Sequence, residues 1–224
     1  MQPPVDTGIP VLLVFDLDGT LVDSIHDLAE AASDLSEGHG GARFDDAAVC
    51  RMVGEGAAVL VERVMARAGH AEPPPGALKQ FHDLYDRRMF ETTRAYPGVA
   101  DTLRALADRH AMALLTNKPE DSARKVLAHC GLDGFFPHRV FGDGEFGRKP
   151  DPAGLRWLMK RHRASVKRTV LIGDSEVDLA TARAGGVRIC LARYGFGFIR
   201  VDPASLAGDE WCIDQPLELL GLLQ

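Results

Sequence analysis

Two aspartates stand two residues apart, directly after a run of apolar residues. The run is VLLVF (11–15), and Asp16 and Asp18 follow it in the segment DLDGT. Like charges at this spacing repel each other, so the pair destabilises the fold unless a positive charge lies close by. The spacing therefore predicts a carboxylate centre that is completed by a metal ion or a basic side chain.

Further polar residues that suit such a centre lie later in the chain. Thr116 follows the apolar run AMALL, and Asp174 follows the run TVLIG. Lys149 lies in the segment GRKPDP, where two prolines stiffen the approach to the next helix. If these runs are neighbouring strands, Asp16, Thr116 and Asp174 meet at one edge, because the carboxyl ends of parallel strands form the ligand-binding edge.

The elements that would position these residues are short apolar runs separated by helical patterns. Runs at 11–15, 111–115, 169–173, 187–192 and 210–214 do not alternate with polar residues, which is typical of strands buried on both faces of a parallel sheet. The segments between the later runs begin with acidic residues or proline and end at glycine, as helices do. This alternation predicts an α/β fold.

Residues 22–92 break the alternation and have helical patterns throughout. The segment GAAVLVERVMARAG places apolar residues on one helical stripe, and another helix follows the proline-rich turn at 73–75. We therefore predict an all-helical insert at 22–92. The α/β core domain would consist of residues 1–21 and 93–224.

Composition and charge exclude several classes of protein. The net charge of −6 argues against a protein that binds nucleic acid or an anionic membrane. No apolar stretch approaches the roughly 20 residues of a membrane-spanning helix, and the first ten residues do not resemble a signal peptide. The four cysteines form no CxxC pair and are typical of reduced thiols, so we expect a cytoplasmic protein.

Four segments, in this order, resemble the motifs of the haloacid dehalogenase-like (HAD) phosphohydrolase superfamily. They are DLDGT, LLTNKP, GRKPDP and the stretch beginning GDSEVD, and the resemblance extends over nearly the whole chain. Together with the late YGFG, they are most similar to the phosphoglycolate phosphatase-like branch. The resemblance implies a Rossmann-like parallel sheet, and it implies that the helical insert is the C1-type cap of that branch.

The resemblance also implies roles for individual residues. Asp16 would be the nucleophile that forms an aspartyl-phosphate, and Asp18 would be the general acid and base. Lys149 and Thr116 would bind and stabilise the transferring phosphoryl group, because phosphoryl transfer depends mainly on positioning and charge stabilisation. Asn117 would either shape the loop or be a secondary phosphate contact.

A magnesium ion is the cofactor that the resemblance implies. Asp16 and Asp174 would bind Mg²⁺ together with the backbone carbonyl of Asp18, in line with the preference of this ion for oxygen ligands. Asp178 would be an outer ligand, or it would orient Lys149 or a metal-bound water. The ion and Lys149 would then offset the repulsion between the carboxylates.

The insert contains a candidate substrate loop. Gly54, Glu55 and Gly56 form a Gly-x-Gly segment that lets the backbone approach a ligand closely, and the segment resembles the loop that faces the active site in related phosphatases. An ordinary turn between helices is the alternative. Arg51 or Arg63 could meet a carboxylate of the substrate, and the sequence does not choose between them.

These expectations define one function and several alternatives. We expect a Mg²⁺-dependent phosphomonoester hydrolase that acts on a small phosphorylated metabolite, with a phosphoglycolate-like substrate favoured. The alternatives are a sugar-phosphate phosphatase, a β-phosphoglucomutase-like phosphomutase and, among proteins that are not enzymes, a phospho-accepting signalling module. We expect a monomer or a homodimer, with no nucleic-acid or membrane partner.

Overall fold

The computed structural model describes residues 11–223 of the chain. Residue 224 and residues 1–10, with which the predicted core domain begins, lie outside the described residues. The strands within residues 11–223 are β1 Leu12–Phe15, β2 Val22–Asp23, β3 Arg94–Ala95, β4 Ala111–Leu115, β5 His138–Val140, β6 Thr169–Gly173, β7 Arg188–Ala192 and β8 Trp211–Ile213.

The α-helices lie between these strands and after the last of them. Within the same residues they are α1 Ile25–Gly38, α2 Asp46–Cys50, α3 Ala57–Arg67, α4 Ala77–Arg88, α5 Val99–Ala107, α6 Glu120–His129, α7 Ala153–Arg161, α8 Glu176–Gly185 and α9 Leu219–Leu222. Short 3₁₀ helices are found at Asp133–Phe135, Val166–Arg168, Phe196–Arg200, Pro203–Ser205 and Pro216–Glu218.

The core is a parallel sheet with the strand order β5-β4-β1-β6-β7-β8 in the part of the chain that is described. The central strand β1 pairs with β4 and β6, and Phe15 at its end lies beside Leu114 and Ile172. Every residue of β1 is buried because apolar side chains pack against both faces of the sheet. The α/β class predicted from the sequence is therefore confirmed.

The helical insert contains α1 to α4 and connects β2 to β3. β2 and β3 form a small antiparallel pair, with Val22 opposite Ala95 and Asp23 opposite Arg94. Inside the insert α1 packs against α4, and buried side chains such as Phe81 fill the space between the helices. The domain boundaries at 22 and 92 stay a prediction.

A buried carboxylate joins the beginning of the insert to its end. The Asp27 side chain, in the first turn of α1, accepts hydrogen bonds from the backbone N–H groups of Thr92 and Thr93 at 3.0 and 2.9 Å. Both threonine hydroxyls donate to the same carboxylate. These bonds compensate for burying the charge of Asp27. They also hold together the two segments in which the chain passes between the core and the insert.

The structure bears on two observations made from the sequence, the lack of a long apolar stretch and the four widely spaced cysteines. No helix in the described residues is both long and apolar enough to cross a bilayer. All four cysteines carry free thiols, and burial raises the pKa of the Cys50 thiol to about 11.

Candidate active site

The three polar residues that follow β1, β4 and β6 lie at the same edge of the sheet. These three residues are Asp16, Thr116 and Asp174. Each comes directly after the carboxyl end of one of these adjacent parallel strands. All three side chains are buried and line one cavity, together with Lys149. The parallel order of the strands thus brings together residues that are far apart in the chain.

Three carboxylates surround one ammonium group at this edge. One oxygen from each of Asp16, Asp174 and Asp178 lies within 4.8 Å of the other two. Lys149 Nζ lies 2.7 Å from Asp16 Oδ1 and 2.6 Å from Asp178 Oδ1. One positive charge therefore faces three buried carboxylates, which leaves an excess of negative charge away from water.

Burial and the neighbouring charges shift the pKa values of these groups. Burial raises the pKa of Asp16 to about 7, although Lys149 lowers it, and Asp178 raises it further. Burial also raises the pKa of Asp174 well above its usual range, with additional contributions from Asp178 and Asp16. Burial lowers the pKa of Lys149, but the Asp16 and Asp178 carboxylates outweigh that effect, so the net shift is upward.

These residues fit a divalent cation. Among the described residues, Asp174 has no basic side chain as a partner, and its Oδ2 accepts a hydrogen bond from the backbone N–H of Gly197 at 2.7 Å. A side chain at Gly19 or Gly195 would overlap the Asp174 side chain, so the backbone at these two glycines packs directly against that group. A cation that binds Asp16 and Asp174 would supply the missing charge with the oxygen ligands that hard cations prefer.

Asp178 is positioned to orient Lys149. Its Oδ2 accepts hydrogen bonds from the backbone N–H and the hydroxyl of Ser175, at 3.1 and 2.6 Å, which completes a capping box at the start of α8. Its Oδ1 accepts from Lys149 Nζ. Both oxygens of Asp178 are therefore engaged, which agrees with the orienting role among those that the sequence left open.

Asn117 holds the backbone on both sides of the cavity. Its Oδ1 accepts a hydrogen bond from the backbone N–H of Lys149 at 2.7 Å. Its Nδ2 donates to the carbonyl oxygens of Lys149 and Gly54, each at 3.0 Å. The amide thus joins the Lys149 loop to the helical insert, and its hydrogens are directed at carbonyl groups instead of a phosphate.

Asp18 makes its contacts with residues outside the cluster around Lys149. Its Oδ1 accepts a hydrogen bond from the Ser24 hydroxyl at 2.6 Å. Lys118 Nζ lies 3.1 and 3.2 Å from the two carboxylate oxygens and also donates to the hydroxyl of Tyr85 at 2.8 Å. Tyr85 belongs to α4, so this chain of contacts connects Asp18 with the helical insert.

The cavity at this edge lies between the core and the insert. Its volume is about 80 Å³, and since a single water needs roughly 10–15 Å³, there is room for several waters or one small molecule. The core contributes the carboxylates and both lysines. The insert contributes apolar and aromatic side chains, among them Leu28, Leu60, Phe81 and Tyr85.

A comparison with known families gives this geometry a context. A family model described as haloacid dehalogenase-like hydrolase matches residues 13–192. The chain belongs to the haloacid dehalogenase-like hydrolase family. The family resemblance and the class of enzyme predicted from the sequence are therefore confirmed, and a signalling module that is not an enzyme is not supported.

Similar proteins cover nearly the whole of this hydrolase. The phosphoglycolate phosphatase of Photobacterium profundum is 32% identical over 219 residues, which are 95% of each chain. That of Pseudomonas putida is 39% identical over 211 residues, 90% of this chain and 77% of its own. A crystal structure of a predicted phosphoglycolate phosphatase from Haemophilus somnus has a TM-score of 0.86 at 29% identity, covering 96% of this chain and 98% of that one. This hydrolase is thus a HAD-type phosphatase similar to the phosphoglycolate phosphatases.

The loop Gly54–Glu55–Gly56 only partly meets the expectation for it. Gly54 and Gly56 line the cavity of this hydrolase. Glu55 instead forms ion pairs with Arg63 and with Arg200, a residue of the core. Its carboxylate is taken up by two guanidinium groups, so the structure does not bring Glu55 to the substrate side.

Neither arginine suggested as a partner for a substrate carboxylate reaches the cavity. Arg51 is exposed and donates to the carbonyl oxygen of Ala47. Arg63 donates to the carbonyl oxygen of Met52 and to Glu55. The sequence reasoning missed Lys118, which does line the cavity. Its position two residues after Thr116, at the end of a buried strand, is the signal that could have identified it.

Proposed function

We propose that this hydrolase removes the phosphoryl group from a small phosphate monoester, with 2-phosphoglycolate as the favoured substrate and Mg²⁺ as the cofactor. The contact of 2.7 Å between Lys149 Nζ and the Asp16 carboxylate, both of them buried, is the observation that carries the proposal. The names of the relatives support the choice of substrate.

Asp16 is the proposed nucleophile. A carboxylate oxygen of Asp16 forms a bond to phosphorus while the bond from phosphorus to the ester oxygen breaks, which gives an aspartyl-phosphate and an alcohol. Lys149 holds the attacking carboxylate in place, since its own orientation is fixed by Asp178. Its charge also stabilises the transferring group, and loss of one such contact typically lowers the rate roughly 10²- to 10³-fold.

Asp18 is the proposed general acid and base. It donates a proton to the departing ester oxygen, then accepts a proton from the water that attacks the aspartyl-phosphate and regenerates Asp16. The side chain of Asp18 borders the cavity and accepts a hydrogen bond from the Ser24 hydroxyl, and rotation from Ser24 to the ester oxygen is part of the proposal. It would also supply its backbone carbonyl to the metal.

Thr116 is the proposed phosphoryl ligand. Its hydroxyl oxygen accepts a hydrogen bond from the backbone N–H of Lys118 at 3.1 Å. Its own hydrogen can therefore be donated to a phosphoryl oxygen in the cavity. When bound between Asp16 and Asp174, Mg²⁺ would neutralise negative charge on the phosphoryl oxygens.

The helical insert has the proposed role of a cap. Its apolar residues Leu28, Leu60 and Phe81 line the cavity over the polar edge of the sheet. With the ester bound, these side chains would exclude bulk water from the reacting groups, which would strengthen their electrostatic interactions. The cytoplasmic location and the monomeric or dimeric state stay predictions.

The test is phosphate release from a panel of esters, with Mg²⁺ and with EDTA. The panel contains 2-phosphoglycolate, several hexose phosphates and β-glucose 1-phosphate, the last also assayed for conversion to glucose 6-phosphate. Release from 2-phosphoglycolate far above the other esters, abolished by EDTA, is expected. Preferential hydrolysis of a hexose phosphate would instead favour a sugar-phosphate phosphatase, and isomerisation without release would favour a phosphomutase.

A further inference from the structure

The cavity contains a second buried ammonium group, that of Lys118, for which the proposed reaction has no use. Its Nζ contacts both oxygens of Asp18 and donates to the Tyr85 hydroxyl. It also lies 4.5 Å from the centroid of the Tyr85 ring.

A buried charge of this kind requires an anionic partner. The partner in the structure is Asp18, which in the proposed reaction has to turn to the ester oxygen of the substrate. The other lysine of the cavity, Lys149, is already held by Asp16 and Asp178. Lys118 would therefore lose its anionic partner during the reaction unless the substrate brings a second negative charge.

The position of that second charge follows from the contacts of Asp18. Before it turns to the ester oxygen, the Asp18 carboxylate lies about 3 Å from Lys118 Nζ, so rotation of this side chain reaches an ester oxygen only in the neighbourhood of that ammonium group. A group attached to the carbon next to the ester oxygen therefore comes within reach of Lys118. From the insert, the rest of the cavity is lined mostly by apolar side chains such as Leu28, Leu60 and Phe81, together with His82.

We propose that Lys118 is the receptor for a carboxylate on the carbon that carries the phosphate ester, and that Tyr85 positions its ammonium group. The site would then select phosphate esters of 2-hydroxy acids. It would disfavour sugar phosphates, because their hydroxyl groups would lie unpaired against apolar side chains. This inference rests on the proposed function and adds to it a residue that determines specificity.

The test compares three substrates that differ by one feature each. Ethyl phosphate has the carbon skeleton of 2-phosphoglycolate without the carboxylate, and the phosphate ester of 3-hydroxypropionate has the carboxylate one methylene further away. The kcat and KM for each substrate are measured for the wild type, Lys118→Met and Tyr85→Phe. Lys79→Met is the matched control, because this lysine lies on the same helix as Tyr85 but is 79% exposed and pairs with Asp83.

We expect the wild type to prefer 2-phosphoglycolate over the other two esters. Lys118→Met should lower kcat/KM for 2-phosphoglycolate on the order of 10²-fold more than for ethyl phosphate, chiefly through KM. Tyr85→Phe should shift the same ratio in the same direction by less, and it tests the proposal if Lys118→Met does not fold. Lys79→Met should leave the ratio at the wild-type value.

Two results would overturn the inference while the proposed function stands. The first is an equal loss for 2-phosphoglycolate and ethyl phosphate in Lys118→Met, which would mean that Lys118 acts through Asp18 alone. The second is a wild type that hydrolyses both esters equally well. No phosphate release by the wild type from any ester would instead refute the proposed function itself.

Discussion

Arg200 of the core donates a hydrogen bond to the carboxylate of Glu55 in the helical insert, with 3.1 Å between Nη2 and Oε1. The same guanidinium donates to the carbonyl oxygen of Val53 and pairs with Glu176 of the core. Arg63 holds the Glu55 carboxylate from within the insert. Arg200 therefore connects the core to the insert, directly beside the Gly-x-Gly loop that lines the cavity.

Replacing Arg200 should weaken closure of the cavity. Arg200→Ala removes contacts to Val53 and Glu55. We expect the closed form to lose about 1–2 kcal/mol of stabilisation, equivalent to a roughly 5- to 30-fold rise in KM. The measurement is steady-state kinetics on 2-phosphoglycolate, with solution scattering for compactness. Arg193→Ala is the control, since this exposed arginine pairs with Asp214 within the core. Unchanged KM and compactness would show that the contacts of Arg200 with the insert do not contribute to closure.

The nucleophile has a separate test in Asp16→Asn. An amide cannot form the acyl phosphate, so turnover should fall more than roughly 10²-fold. The fold should persist, because the substitution removes one of three buried carboxylates that repel each other. Phosphate release and circular dichroism measure the two effects, with the exposed Asp108→Asn as the control. Activity above about one hundredth of wild type would remove Asp16 from this role.

Metal binding should be visible without turnover. We expect Mg²⁺ to raise the melting temperature of the wild type, since a ligand that binds the folded state stabilises it by about 2.7 kcal/mol at one hundred times its Kd. Asp174→Asn should not show this rise. In EDTA the variant should be at least as stable as the wild type, because the buried carboxylate that it replaces has no basic side chain beside it in the described residues. An equal rise in melting temperature for the variant would place the cation elsewhere.

The arrangement of these residues shows what the sequence can predict. The ends of β1, β4 and β6 are recognisable because their apolar runs are buried on both faces, and parallel pairing then brings Asp16, Thr116 and Asp174 together. β5 escaped prediction because it has three residues, among them His138 and Arg139, at the edge of the sheet. Its local sequence carries no apolar run.

The contacts between core and insert could not be predicted in the same way. Lys118 meets Tyr85, and Glu55 meets Arg200, only because α1 to α4 dock over the edge of the sheet. Docking of this kind depends on the packed shape of both parts, and no local periodicity encodes it. For this reason the sequence pointed to Arg51 and Arg63 as partners for a substrate carboxylate, whereas the structure places Lys118 in the cavity.

The backbone around Asp174 gives a steric prediction. A Cβ at Gly195 would overlap the carbonyl oxygen of Gly19 and the Asp174 side chain, although its φ of −73° suits any residue. Gly195→Ala should therefore displace Asp174 and lower the affinity for Mg²⁺ about 10- to 100-fold, as loss of a supporting contact typically does. Gly134→Ala is the control, because nothing lies within 4 Å of its Cβ position. Isothermal titration calorimetry with Mg²⁺ decides, and equal affinities would contradict the steric argument.

His110 makes the stability of the core depend on pH. Its Nδ1 accepts a hydrogen bond from the backbone N–H of Val11 at 3.3 Å, and burial, with a contribution from Arg109, lowers its pKa below the ordinary 6.5. The unfolded chain therefore binds the proton more tightly, so the free energy of unfolding should fall as the pH drops through 6.5 toward the lower folded-state pKa. Chemical denaturation of wild type and His110→Gln from about pH 7.5 to about pH 5.5 isolates this contribution, because all other titrating groups are common to both. A wild type whose stability falls no more steeply than that of the variant would show that His110 is not the group responsible.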